Sequence, residues 1–190
     1  MQFEFQLPAW LIGDLNHYTQ LTFASAEAKM SLVLKSAKHN ILTATGGPFA
    51  AAIFHNDQLI SLGVNLVVNQ KLTVLHAEMV AIMLANRKLH HYDLASFGQL
   101  DLYTSSFPCG MCMGAIIWSG IAAITYATSS NIVENHTGFD EGIKVTNLSE
   151  QLFTRGITVN GPILEAQGIE LLQLYMQHQQ PIYNSLRNTK

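Results

Sequence analysis

Charge is scarce in this chain. Asp, Glu, Lys and Arg together make up 12% of its 190 residues, against about 25% in an average soluble protein. The 10 basic and 13 acidic side chains leave a formal net charge of -3, and no run of Lys and Arg gathers into a patch. A general electrostatic grip on nucleic acid is therefore not expected. Hydrophobic residues reach 48%, which excludes a disordered chain and predicts that some apolar surface is buried between subunits. Cysteine is nearly absent: the two present, Cys109 and Cys112, cannot build a disulfide framework, and reduced thiols predict a cytoplasmic location. No apolar run approaches the roughly 20 residues that span a bilayer, so a soluble protein with no membrane partner is expected. The opening residues lack a basic segment and carry Glu4 and Asp14, which predicts no secretory leader. Repeats, low-complexity stretches and Pro/Gly/Ser linkers are missing too, and the length suits one domain.

What is present alternates between helical and strand patterns. Residues 1–24 read as an N-terminal extension, irregular through about Leu21, with Phe3, Phe5, Leu7, Trp10 and Leu11 to bury. Ser25 to Leu42 carries apolar residues at helical spacing, and Gly46-Gly47-Pro48 marks a turn. Ala50–His55 and Leu59–Val68 predict a hairpin around Asn56-Asp57. Helices are expected over His76–Leu89 and Cys109–Trp118, the latter closed by Gly120, with strands over Leu100–Ser105 and Ile121–Thr128. A loop through residues 138–142, a short helix near Leu148, a strand near Ile157–Val159 and a helix from Pro162 follow. Such alternation predicts a layered α/β domain with a partly parallel sheet. Trp118, Met79, Met83, Met111 and Met113 read as core residues.

Two short motifs carry chemistry. Leu-His-Ala-Glu contains His76 and Glu78, and Pro-Cys-Gly-Met-Cys contains Cys109 and Cys112. Both fall where a helix is expected to begin. Cysteines three apart share a helical face, so both sulfurs reach one ion, and the helix dipole favours the thiolate form that zinc requires. Taken alone, Pro-Cys-x-x-Cys fits half of a structural zinc knuckle or a redox pair equally well. No second cysteine pair completes a four-thiolate site. His76, Cys109 and Cys112 are then three ligands for one Zn2+, with the fourth position left for water or hydroxide, the pattern of a catalytic centre. Glu78 stands beside that position as a proton carrier.

H-x-E followed by P-C-x-x-C resembles the signature of zinc-dependent nucleobase deaminases. Gly46-Gly47-Pro48-Phe49-Ala50-Ala51, Gly114-Ala115-Ile116-Ile117-Trp118, Gly138-Phe139-Asp140-Glu141-Gly142 and Ile182-Tyr183-Asn184 extend the likeness. They are similar to the guanine deaminase branch of the cytidine deaminase-like superfamily, over about Ser25 to Asn184. The resemblance implies a three-layer α/β/α fold with a central mixed five-stranded sheet, and a deaminase domain over 25–190 that includes a C-terminal closing tail. It also implies a homodimer, with C-terminal tails open to exchange. The implied reaction is hydrolysis of guanine to xanthine and ammonia at carbon 2, a step of purine catabolism, with ammeline as a second candidate substrate.

In that pattern Asn65 hydrogen-bonds the base, Phe49 and Phe139 border it, and Glu141 with Asp140 meets its edge or assists proton transfer. Tyr183 belongs to the tail that closes the pocket. By residue type alone, Phe49 and Phe139 also suit a core, Asn65 a strand end, and Asp140 and Glu141 an ordinary loop. One departure stands out, Phe107 in place of the Glu usual before the Pro-Cys pair. It is expected to alter the support of the catalytic loop, and leaves Glu78 as the proton carrier. Alternative readings are a tRNA adenosine deaminase, another purine or pyrimidine deaminase, or a zinc-stabilised binding protein with impaired catalysis.

Overall fold

The computed structural model describes residues 4–183; Phe3 and Asn184, named above, lie outside the described residues. Its first finding is a correction. The N-terminal stretch contains a helix, α1 (Ala9–Tyr18), where an irregular segment was expected. Pro8 precedes its first turn, where the missing N–H costs little, and its carbonyl accepts from Leu11 and Ile12. Trp10, Leu11, Leu15 and Tyr18 share one side and pack on the main core, Leu11 being fully buried. Tertiary burial offsets the unfavourable Gly13 inside this helix, which is why local pattern alone missed it.

Helix α2 (Ala26–Leu42) starts at the Ser25 cap, whose hydroxyl accepts from the Ala28 amide at 3.1 Å. It buries Met30, Val33, Leu34, Ala37 and Ile41. Strands β1 (Ala50–His55) and β2 (Gln58–Val64) form the expected hairpin, turning at Asn56 with its positive φ of 52°. β2 ends at Val64, earlier than predicted. The Asn65 side chain accepts from the Val67 amide, which diverts the chain into the short helix α3 (Val67–Gln70).

Next come α4 (Ala77–Leu89), a 3₁₀ turn at Leu94–Phe97, β3 (Leu100–Ser106), α5 (Gly110–Ser119) and β4 (Ala123–Thr128). Gly120 closes α5 with φ 80°. Helix α6 (Ser130–Thr137) was not foreseen. It is short and polar, and it is fixed by the Ser129 cap and by burial of Val133. Helix α7 (Leu148–Phe153), β5 (Thr158–Asn160) and α8 (Glu165–Gln177) complete the chain.

The sheet order is β2-β1-β3-β4-β5. β1 is antiparallel to both neighbours, while β3, β4 and β5 run parallel, so the expected mixed five-stranded sheet is present. Strand alternation sends Ala50, Ala52 and Phe54 to one face, and Ala51 and Ile53 to the other. The first face packs on α2 and α8, the second on α4 and α5, giving three layers. Helix α4 lies close over β2 because residue 63 is glycine: a Cβ there would sit 2.4 Å from the Ala77 carbonyl oxygen. No helix among the described residues is long and apolar enough to cross a membrane.

A second correction concerns α5. Met113 is buried, but Trp118 is 88% exposed and Met111 36%, so neither is core; Met79 and Met83 are half-buried. Leu11→Ala should lower the unfolding free energy by about 2–4 kcal/mol, measured by urea denaturation. A change below about 0.5 kcal/mol would show that α1 adds nothing to the core.

Candidate metal centre and adjoining pocket

Two helix N-termini meet at the carboxyl end of β3. His76 is the N-cap of α4 and Cys109 the N-cap of α5; their carbonyls accept from Val80 and Met113. One turn into α5, Cys112 points to the same place. Cys109 Sγ lies 3.6 Å from His76 Nδ1, and one ligand atom from each of the three residues lies within 4.8 Å of the others. The thiolate, thiolate and imidazole set is that of zinc rather than of a hard cation, and the spacing lets all three meet one ion.

Glu78, two residues into α4, is 6% exposed. Thr104 donates to its Oε1 at 3.2 Å and Cys112 to its Oε2 at 3.4 Å. These hydrogen bonds hold a buried carboxylate in place. Thr104 was not singled out in the sequence; the signal was Thr104-Ser105-Ser106, three consecutive hydroxyl residues ending β3.

Burial pushes the Glu78 carboxyl above its ordinary range, outweighing the helix-start amides and His76. Hydrogen bonding from Cys112, then from His76, pulls Cys109 down to about 4 against the effect of burial. The same hydrogen bond and burial, with Glu78 nearby, push Cys112 far up. Cys109 is thus the thiol that ionises first, and a divalent cation would favour both thiolates. Burial pulls His76 down, but the Cys109 hydrogen bond and the Glu78 charge outweigh it.

His76, Glu78 and Cys109 face a cavity of about 340 Å³, within the range of small-molecule sites. Phe49, Asn65, Phe139, Asp140, Glu141 and Tyr183, the six side chains that the resemblance assigns to the base or its cover, all line it. Phe49 and Phe139 meet edge-on at 5.2 Å, and Phe139 tilts against Tyr183 at 4.7 Å. Asn65 is 1% exposed, with its amide oxygen engaged by Val67. Its Nδ2 and the Tyr183 hydroxyl have no partner, the two such buried side-chain atoms among the described residues. Each such group costs about 1–3 kcal/mol, so a pocket holding both is built for a polar ligand.

Asp140 is exposed and accepts from Gly142 within its own loop at 2.8 Å, while Glu141 is half-buried. Phe107 also lines the cavity, its ring edge-on to Tyr126 at 5.2 Å and its amide bonded to Thr128. The loop before Cys109 is therefore supported by aromatic packing.

Comparison with known proteins agrees with this geometry. The family model for the cytidine and deoxycytidylate deaminase zinc-binding region matches residues 24–128. A solved structure of guanine deaminase from Nitrosomonas europaea is 38% identical and covers 92% of this chain and 96% of that one, with a TM-score of 0.84. A solved structure of a variant protein in complex with 8-azaguanine shares 38% identity, 92% and 97% coverage and a TM-score of 0.84. Guanine deaminase of Bacillus subtilis is 38% identical over 96 residues, half of this chain and 59% of that protein's length.

Burial first, then the charges of Glu78 and Cys109, push Glu141 up to about 8. A carboxyl raised in the folded state contributes stability that is complete below its ordinary value of 4.5 and is lost as pH rises through about 8. Between those limits the parent's melting temperature should fall with pH more steeply than that of Glu141→Gln. Parallel profiles would show that Glu141 titrates as an ordinary exposed carboxylate.

Proposed function

The chain belongs to the cytidine and deoxycytidylate deaminase zinc-binding family, in its guanine deaminase branch, and we propose that it hydrolyses guanine to xanthine and ammonia. The observation that carries this reading is one cavity lined at one place by Glu78, His76 and Cys109, with the buried Cys112 donor beside them, and elsewhere by the unpartnered Asn65 and Tyr183 atoms. Similarity to guanine deaminases and to a protein holding 8-azaguanine supports a purine over a pyrimidine. Ammeline is the second candidate substrate.

Zinc held by His76, Cys109 and Cys112, one ion per chain, would supply Lewis acidity and an activated water as the nucleophile. The residues around it divide the remaining work. Phe49 and Phe139 offer flat apolar surface to the base. Asn65 Nδ2 and the Tyr183 hydroxyl donate to ring or carbonyl acceptors. Glu141 meets the base edge, with Asp140 bracing its loop. Glu78 accepts the proton of the attacking water and passes it to a ring nitrogen. As the bond between carbon 2 and the exocyclic nitrogen breaks, Glu78 takes the proton of the hydroxyl now on carbon 2, which becomes a carbonyl, and delivers it to the leaving amine. The oxygen of water stays on carbon 2, ammonia departs, and the carboxylate is restored. Tyr183 covers the cavity and keeps bulk water from the buried charges.

Residues 25–190 form the deaminase domain in this reading, tail included, with residues 1–24 as an N-terminal extension whose helix α1 packs on it. A second copy of the chain is the proposed partner. The exposed Trp118 and Ile117 of α5 supply apolar surface for it, and either copy's tail is able to supply the Tyr183 segment. The cytoplasm is the proposed location, where both thiols stay reduced.

The test is ammonia release by the zinc-loaded protein from guanine, ammeline, adenine, cytosine, cytidine and guanosine. Guanine should be turned over fastest. Glu78→Gln should keep its zinc and its fold while losing about 10²-fold or more in kcat. Faster release from another base would move the substrate assignment, and undiminished turnover by Glu78→Gln would remove that residue from its role.

A further inference from the structure

Asn40 lies inside α2, away from the cavity lining, and is fully buried. Asparagine is a poor helix former, and a buried amide is costly unless its hydrogen bonds are made. Here they are. Its Nδ2 donates to the Gly47 carbonyl and to the Asn65 carbonyl, each at 2.9 Å. Its Oδ1 accepts from the Thr45 hydroxyl at 2.7 Å, and that hydroxyl accepts from Trp10 Nε1 at 3.1 Å. One amide thus joins the loop after α2 to the end of β2 and, through Thr45, to the N-terminal helix.

One of the carbonyls it holds belongs to Asn65, which lines the cavity, and the other to Gly47, which packs under the lining residue Tyr183. Asn65 is fixed three ways: its N–H donates to Phe49, its Oδ1 accepts from Val67, and its carbonyl is held by Asn40. What remains is Nδ2, the atom without a partner. Gly47 is the floor under Tyr183: a Cβ there would stand 2.7 Å from the tyrosine hydroxyl oxygen. The loop reaches Asn65 because residue 46 is also glycine, where a Cβ would fall 1.8 Å from the Asn65 oxygen and 2.8 Å from Asn40 Nδ2.

We infer that Asn40 is a positioning residue of the base pocket, setting the Asn65 amide and the Tyr183 seat together, and that α1 braces it through Trp10 and Thr45. The role rests on the purine-pocket reading above. It gives the N-terminal helix a function beyond core burial. Asn40 reaches neither the metal donors nor Glu78, so its loss should weaken base binding and leave the chemical step intact.

The test compares Asn40→Ala and the milder, nearly isosteric Thr45→Val with the zinc-loaded parent. A stability control, Leu100→Ala, opens a cavity in the core layer on the other face of the sheet. Asn40→Ala should raise KM for guanine about five- to tenfold, the weight of one misdirected hydrogen bond, with kcat within about twofold. Thr45→Val should shift KM the same way by less, and Leu100→Ala should lower the melting temperature without moving KM. If KM of Asn40→Ala moves no more than that of Leu100→Ala, the residue serves stability alone and the assignment fails. Hydrogen exchange supplies a readout that needs no turnover. Amides of residues 46, 47, 49 and 50 and of 65–67 should exchange faster in Asn40→Ala while those of β3 and β4 do not, and unchanged exchange there overturns the assignment. An inactive parent would sink the deaminase reading by itself, and exchange would still decide for or against Asn40.

Discussion

Everything at the site depends on two helix N-termini being aimed at one point. β3 delivers the chain to Cys109 at the start of α5, and the segment after β2 returns it to His76 at the start of α4. Helix starts leave amides unsatisfied and carry partial positive charge, so their convergence makes a place where sulfur and carboxylate charge is tolerated inside the protein. Close packing of α4 over Gly63 and the closure of α5 at Gly120 fix the two axes. A sideways shift of either helix would separate the three donors and strand Glu78.

Glu78 shows how tightly the fold and the chemistry are joined. A carboxylate this buried is destabilising unless it is bonded, and its partners, Thr104 and Cys112, come from β3 and α5. The strand that anchors the sheet also orients the carboxylate proposed as proton carrier, and one of the proposed zinc donors also touches it. Asn65 and Tyr183 carry the opposite strain, polar atoms kept unpaired in an apolar pocket. In a stable fold such a cost is offset elsewhere, here by two apolar layers around the sheet.

The donors and Glu78 were legible in the sequence because their chemistry demands fixed residue types at fixed spacing, as were α2, the hairpin and α5, where cap, turn and periodicity agree. Other features are set by contacts distant in the chain. Helix α1 contains a glycine and becomes a helix by docking Leu11 and Trp10 on the core. Helix α6 is polar and short. β2 stops at Val64 because one asparagine side chain captures a backbone amide two residues on. Trp118 looked like core by residue type but faces outward, since hydrophobicity fixes that a face is apolar and not what covers it. Asn40 gave no local signal, for its three partners lie five to 25 positions away.

The most direct test of the central claim is the crystal structure of the protein grown with zinc and 8-azaguanine, with anomalous scattering recorded at the zinc edge. The account predicts one anomalous peak bonded to His76 Nδ1 and to the sulfurs of Cys109 and Cys112, Glu78 beside it, and the purine bordered by Phe49 and Phe139 with Asn65 Nδ2 on one of its acceptors. Zinc bound through other residues, or a purine lying outside this cavity, would contradict it.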